Sequence, residues 1–255
     1  MTTTDFRSLA EQVAGTDNAS GIERVRRIVA WMYREFDLLE TDYQERTVDE
    51  IVARRGGNCR EHSMVLAALL RAQDVPVRWV TEINIQAESA DRQSGADALV
   101  AQRGPRASVF GLRHNDHRWL EVPGDEPGEW EPADTFLDLV GIDMWVRQRL
   151  GFSDRPAGGP EMIAPVAVMT LDESGIPHEG RSRAYLVTAF DHVYDGQLHV
   201  LPAWSAWVAQ IEQVEPLAMG AFAGKVNLHQ HSDVFARCTE AYGALAEQAR
   251  AAGLR

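Results

Sequence analysis

The chain has 255 residues, 45% of them apolar, with 25 Lys and Arg against 38 Asp and Glu for a formal net charge of −13. That length supports one substantial core or two, the acidity disfavours nucleic acid and mildly favours a cationic or amine partner, and no run approaches the roughly 18 apolar residues that cross a bilayer. Two cysteines, Cys59 and Cys238, are too few for a disulfide framework, and the opening MTTTDFRSLAEQ has neither a basic stretch nor an apolar run, so a reducing, cytoplasmic setting is expected.

Residues 22–36 carry Ile22, Val25, Ile28, Val29, Met32 and Phe36 on one stripe, which predicts an amphipathic helix against the core. Thr47 with Glu50 forms a capping box that opens a short helix through Ile51, Val52 and Arg54. Gly56 and Gly57 then turn the chain sharply and leave room for a substrate backbone. Asn58 and Glu61 make a second capping box, and Met64, Leu66, Leu69 and Leu70 recur at helical spacing. A strand rich in β-branched residues is predicted from Val75 through Ile85.

Residues 87–105 form a polar excursion with a short helix around 96–101, and further strands are predicted over 108–112, 117–122 and from Trp130 to Asp134, with a turn at 123–128. In the 117–122 strand, Trp119 and Glu121 point one way and Leu120 and Val122 the other. Beyond that, 137–150 reads as helix, 154–160 as a Gly/Pro linker and 164–171 as a strand. Residues 185–190 and 192–200 read as strands with a hairpin signal at Asp195-Gly196, and two helices close the chain over 203–222 and 233–252. The sum is an α+β chain built on an antiparallel sheet packed on the helix that bears Cys59, with domains at 1–150 and 151–255. The second is expected to pack on the first as a strand-and-helix extension that completes the sheet and the substrate cleft.

Cys59 falls in the first turn of its helix, where unpaired backbone N–H groups and the positive end of the helix dipole favour thiolate over thiol. A cysteine nucleophile also needs a base, a group that orients the base, and donors for an oxyanion. His117 begins one strand and Asp134 ends the next, so antiparallel neighbours would set the carboxylate beside the imidazole. The Cys59 backbone N–H is the obvious oxyanion donor, with Gly57, Asn58 and Trp119 around the cleft.

Gly57-Asn58-Cys59, the Ala/Leu-rich helix, Leu70-Arg71-Ala72 and Val75-Pro76-Val77-Arg78 resemble the cysteine segment of the transglutaminase-like superfamily. His117-x-Trp119-x-Glu121-Val122 and Trp130-x-Pro132-x-Asp134-Thr135 are similar to its H-x-W-x-E-V and W-x-P-x-D-T blocks. The resemblance covers about residues 20–140 and implies a papain-like fold with a Cys, His, Asp triad carried onto Cys59, His117 and Asp134. It departs from the family at Asp74, where a glycine is usual, and in the lengthened 87–105 excursion.

Some residues have competing readings. His114 competes with His117 as the base, Asp116 suits a local turn, Trp119 and Trp130 suit the core, and Glu121 could pair with Arg78. His229-Gln230-His231 with Asp233 is better explained as a loop ending in a helix cap at Ser232 or Asp233 than as a metal site, and Cys238 as core. Neither metal nor cofactor is expected. The leading expectation is a cysteine-dependent acyl transfer from an amide or thioester carbonyl, with a small-molecule, carrier-bound or peptide acyl donor and an amine or water acceptor. A hydrolase (peptidase or deamidase) with the same triad and a binding module without catalysis are the alternatives.

Overall fold

The computed structural model describes residues 4–17, 19–39, 42, 44–85, 90–109, 114–150, 165–171, 177–180 and 182–254. The chain divides into two compact units: residues 1–80 with 118–145, and residues 81–117 with 146–255.

In the first unit, α1 (Phe6–Ala14) is capped by Asp5, whose carboxylate accepts from Ser8 N, and α2 (Gly21–Glu35) by Ser20. The expected stripe is the buried face of α2: Ile22, Val25, Ile28, Val29 and Met32 are all inside, and Phe36 is buried at its end. The strand β1 (Asp37–Leu38) follows. The Thr47–Glu50 capping box opens α3 (Val48–Arg54), which Arg55 ends at a φ of 54°. The short strand β2 (Gly56–Gly57) lies parallel to β1 and delivers the chain to α4 (Cys59–Arg71), opened by the Asn58–Glu61 capping box.

Val65, Leu66, Leu69 and Leu70 of α4 share one core with α1, α2 and the sheet residues Leu120, Val122, Ala133 and Val140. Strand β4 (His114–Pro123) supplies the first two of these. It runs antiparallel to β5 (Trp130–Asp134), with Leu120 opposite Ala133, and β5 runs antiparallel to β6 (Leu139–Val140). The chain is thus α+β, with an antiparallel sheet packed on the Cys59 helix. Alternation along β4 is as expected, since Trp119 leaves the α4 side and its ring centroid lies 6.0 Å from that of Trp145.

Several expectations fail locally. Strand β3 (Arg78–Ile85) starts after Val75 and Val77, which instead pack against the core at its edge. The helix expected over 137–150 is interrupted, because Asp138 (φ 49°) and Gly141 (φ 111°) frame β6, and α6 (Ile142–Arg149) begins only after them. Asp116 sits in β4 rather than in a turn.

The chain passes between units along β3, β4 and α6. In the second unit the polar excursion is a helix, α5 (Ala90–Arg103), longer than the short one expected. Of the strand expected over 108–112, residues 108 and 109 belong instead to a 3-10 turn (Pro105–Val109), and 110–113 lie outside the described residues, as does the 154–160 linker. Strand β7 (Pro165–Leu171) pairs with β8 (Pro177–Gly180), which the sequence did not announce.

The two strands expected over 185–200 are instead α7 (Ser182–Tyr194) and a 3-10 turn over Gln197–Val200. Tyr185, Leu186, Ala189, Phe190 and Tyr194 are buried, a helical spacing that overrides the β-branched and aromatic content of the segment. Asp195 and Gly196, at φ 47° and 70°, end the helix rather than close a hairpin. Helices α8 (Pro202–Phe222) and α9 (Ser232–Ala251) match the two expected, and Phe190, Trp207 and Tyr242 stack between them and α7.

Candidate active site

The half-buried Cys59 is the first residue of α4. The turn that presents it is held by backbone and side chains together. Asp37 N donates to Arg55 O and Leu39 N to Gly57 O, both at 2.9 Å, which fixes the glycine pair against β1. The Asn58 side chain accepts from Glu61 N at 3.1 Å, while the Glu61 carboxylate accepts from Asn58 N at 3.0 Å and from Arg46 Nη1 at 2.9 Å. Arg46 also pairs with Asp42, whose carboxyl it holds well below the usual carboxylate range, chiefly through that hydrogen bond.

The chain itself restricts both glycine positions. A Cβ on Gly57 would stand 2.6 Å from Glu61 Cβ, and one on Gly56 would stand 3.1 Å from Asp37 O and from Leu39 Cδ1. Their open sides are filled from within.

Two residues that the sequence reading passed over lie in the next helical turn. Ser63 Oγ is 2.9 Å from Cys59 O and 3.0 Å from Arg118 O, so its hydrogen bridges the carbonyl of the cysteine and that of the residue after His117. His62 is fully buried, with Nε2 3.2 Å from Asp37 O and Nδ1 3.5 Å from Thr135 Oγ1. Their spacing of three and four from Cys59, on a face otherwise apolar, was the available signal.

Asp134 ends β5 and is buried, with Oδ1 accepting from Phe136 N at 2.9 Å in a tight Asx turn, and it pairs with Leu139 of β6. His117 is buried on β4, its carbonyl accepting from Thr81 Oγ1 at 3.3 Å within the second unit. Cys59, Asp134, Gly57, Asn58 and Trp119 belong to the first unit, and His117 is the last residue before β4 passes into it. His114 opens β4, and its side chain lies outside the described residues.

Arg78 lies over the Trp130 ring, its guanidinium 3.7 Å from the centroid, a cation–π contact where an ion pair to Glu121 was one expectation. Two described surface concavities, of about 400 and 270 Å³, are lined by α1, α2, the loop between them and Gln73, and by none of the candidate residues. His229 and His231 sit in a 3-10 turn, with the Asn227 side chain accepting from His229 N. Among the described residues no three His, Cys, Asp or Glu gather as a metal site would require. Cys238 is in the core of the second unit, and burial pushes its thiol up to about 12. No described helix is long and apolar enough to cross a membrane.

No curated protein matches this sequence. Among solved structures, a proposed cysteine protease from Cytophaga hutchinsonii is 18% identical at a TM-score of 0.35, over 51% of this chain and 36% of that one. The Rad4-Rad23 complex bound to a 6-4 photoproduct UV lesion is 10% identical at a TM-score of 0.41, over 94% of this chain and 54% of the other. This chain therefore spans about a third and about half of those two. The model of the transglutaminase-like superfamily matches residues 7–135, the segment that holds α1 to β5 and every candidate residue, and the protein belongs to that superfamily.

Proposed function

We propose that the protein is a cysteine-dependent acyl-transfer enzyme with Cys59 as nucleophile, His117 as general base and acid, and Asp134 as the group that orients His117. The observation that carries this reading is the Ser63 bridge. It ties the Cys59 carbonyl to the carbonyl of Arg118, so the strand residue that follows His117 is held against the turn that presents the sulfur. Asp134 ends the strand paired with that same β4, its register set by Leu120 opposite Ala133.

In the reaction, His117 takes the Cys59 proton and Sγ attacks the carbonyl carbon of an amide or thioester. The Cys59 N–H supports the oxyanion. The tetrahedral intermediate collapses, the leaving amine or thiol departs with the proton from His117, and a thioester to Cys59 remains. An amine then attacks that carbonyl, His117 takes its proton, and the amide product leaves with the thiol restored. The formal charge of −13 mildly favours a cationic or amine partner over an anionic one.

The test uses the full chain with a panel of thioesters and activated amides, followed by mass spectrometry of the Cys59 peptide. An acyl adduct on Cys59 that decays to amide product when amines are added is expected, with no adduct in Cys59→Ala. Hydrolysis alone with every amine would assign the chemistry to a hydrolase, and no adduct with any donor would remove the enzyme reading.

A further inference from the structure

We infer that His62 is a positioning residue that locks the Asp134 turn onto the Cys59 helix, an inference that rests on the triad proposed above. His62 stands three residues after Cys59 on α4 and joins three segments of the first unit. Its Nε2 faces Asp37 O at 3.2 Å, and a carbonyl can only accept, so Nε2 carries the hydrogen. In the neutral imidazole Nδ1 is then an acceptor, and Thr135 Oγ1, 3.5 Å away at the outer limit of a hydrogen bond, is placed to donate to it. The ring is held edge-on between Phe36 and Phe136, with centroids 5.8 and 5.9 Å away.

Both residues after the carboxylate, Thr135 and Phe136, thus rest on His62. Phe136 N in turn donates to Asp134 Oδ1, so the turn's own hydrogen bond and its anchoring on the imidazole act on the same carboxylate. The third contact, to Asp37, belongs to β1, which pairs with the glycines that lead into Cys59. A hydrophobic side chain at 62 could fill the space between the two phenyl rings but would offer no acceptor to Thr135 and would lose the hydrogen bond to the Asp37 carbonyl. Both ring nitrogens of His62 are turned to Asp37 and Thr135, which makes it a support and not a second base.

The test measures iodoacetamide alkylation of Cys59 at pH 6.5 and 9.5 in the full chain, alongside thermal melting. The ratio of the two rates reports how well the imidazole and its carboxylate support the thiolate at low pH, and the melting temperature shows whether a variant has loosened the fold as a whole. Asp134→Asn should lower the ratio by at least about tenfold. Thr135→Val and His62→Phe should each lower it by about threefold, the double variant no further than either, and Thr135→Ser should restore it. If Asp134→Asn lowers the ratio and Thr135→Val leaves it within about 1.5-fold of wild type, the positioning role is overturned while the triad stands. If Asp134→Asn itself leaves the ratio unchanged, the triad reading fails and takes this inference with it. Thr135→Val removes one hydroxyl and little volume, so the outcome does not depend on His62→Phe folding.

Discussion

Gly57 and Glu61 are packed so closely that a Cβ on the glycine would stand 2.6 Å from the glutamate's own Cβ and 2.8 Å from its Oε2. Glu61 is held there by Asn58 N and Arg46, so it cannot swing aside without opening the cap of α4. Gly57→Ala should cost about 2–3 kcal/mol of stability, combining overpacking with a disturbed cap. Glu61→Ala, which keeps the Cβ, should not relieve that clash. Urea unfolding of the two single variants and the double variant checks this, and a Gly57→Ala midpoint equal to wild type would refute the close approach.

Asp74, where the family usually has glycine, adopts a φ of 59° after α4. The left-handed region is open to Asp at a cost that glycine does not incur. Its carboxylate meets Arg7 at 3.3 Å with both side chains largely in solvent, a contact of small worth. Asp74→Gly should therefore be neutral or up to about 1 kcal/mol more stable, and a loss beyond that range would show that the Asp74 side chain has another role.

What was legible in the sequence is what is decided locally. The α2 stripe and the two capping boxes depend on residues three or four apart, and all are present. β4 and β5 carried both alternation and turn residues, and their pairing follows. The segment 185–190 was misread because Val, Thr, Tyr and Phe suit strands, whereas burial against α8 and α9 selects a helix. The spacing of His62 and Ser63 from Cys59 marks them as polar residues on an apolar face, but their partners, Thr135 and Arg118, are 73 and 55 residues away, and that pairing no local pattern encodes. Gly57 was recognised as necessary, but the space it keeps open belongs to Glu61.

Cys238 gives the protein an alkaline weakness. Burial raises its thiol from an ordinary 9.0 to about 12, so the folded form keeps its proton where the unfolded chain loses it. The stability this contributes is full below pH 9 and is lost as pH rises toward about 12, with a slope of about 1.4 kcal/mol per pH unit. The Tyr242 phenol, also pushed up chiefly by burial, acts in the same direction at higher pH. Urea midpoints at pH 8, 9 and 10 should fall, and Cys238→Ala should fall less steeply across the same range. An equal slope in that variant would remove the assignment.

Glu82 and Arg149 form a fully buried ion pair in the second unit. Glu82→Leu leaves the guanidinium buried without that carboxylate and should cost about 3–5 kcal/mol, with Arg149→Met similar. Because two apolar side chains need no desolvated charge, the double variant should be more stable than either single one. Denaturation of the three variants decides it, and an additive double variant would mean that the two groups do not depend on each other.

The central claim, that Cys59 is a catalytic nucleophile, is tested most directly by competitive iodoacetamide labelling at pH 7, counted on the two cysteine peptides with glutathione as reference. The account predicts that Cys59 reacts at least about tenfold faster than glutathione and far faster than Cys238, and that His117→Asn abolishes the advantage over glutathione. Labelling of Cys59 no faster than glutathione, and indifferent to His117→Asn, would contradict it and leave a transglutaminase-like fold that binds without catalysing.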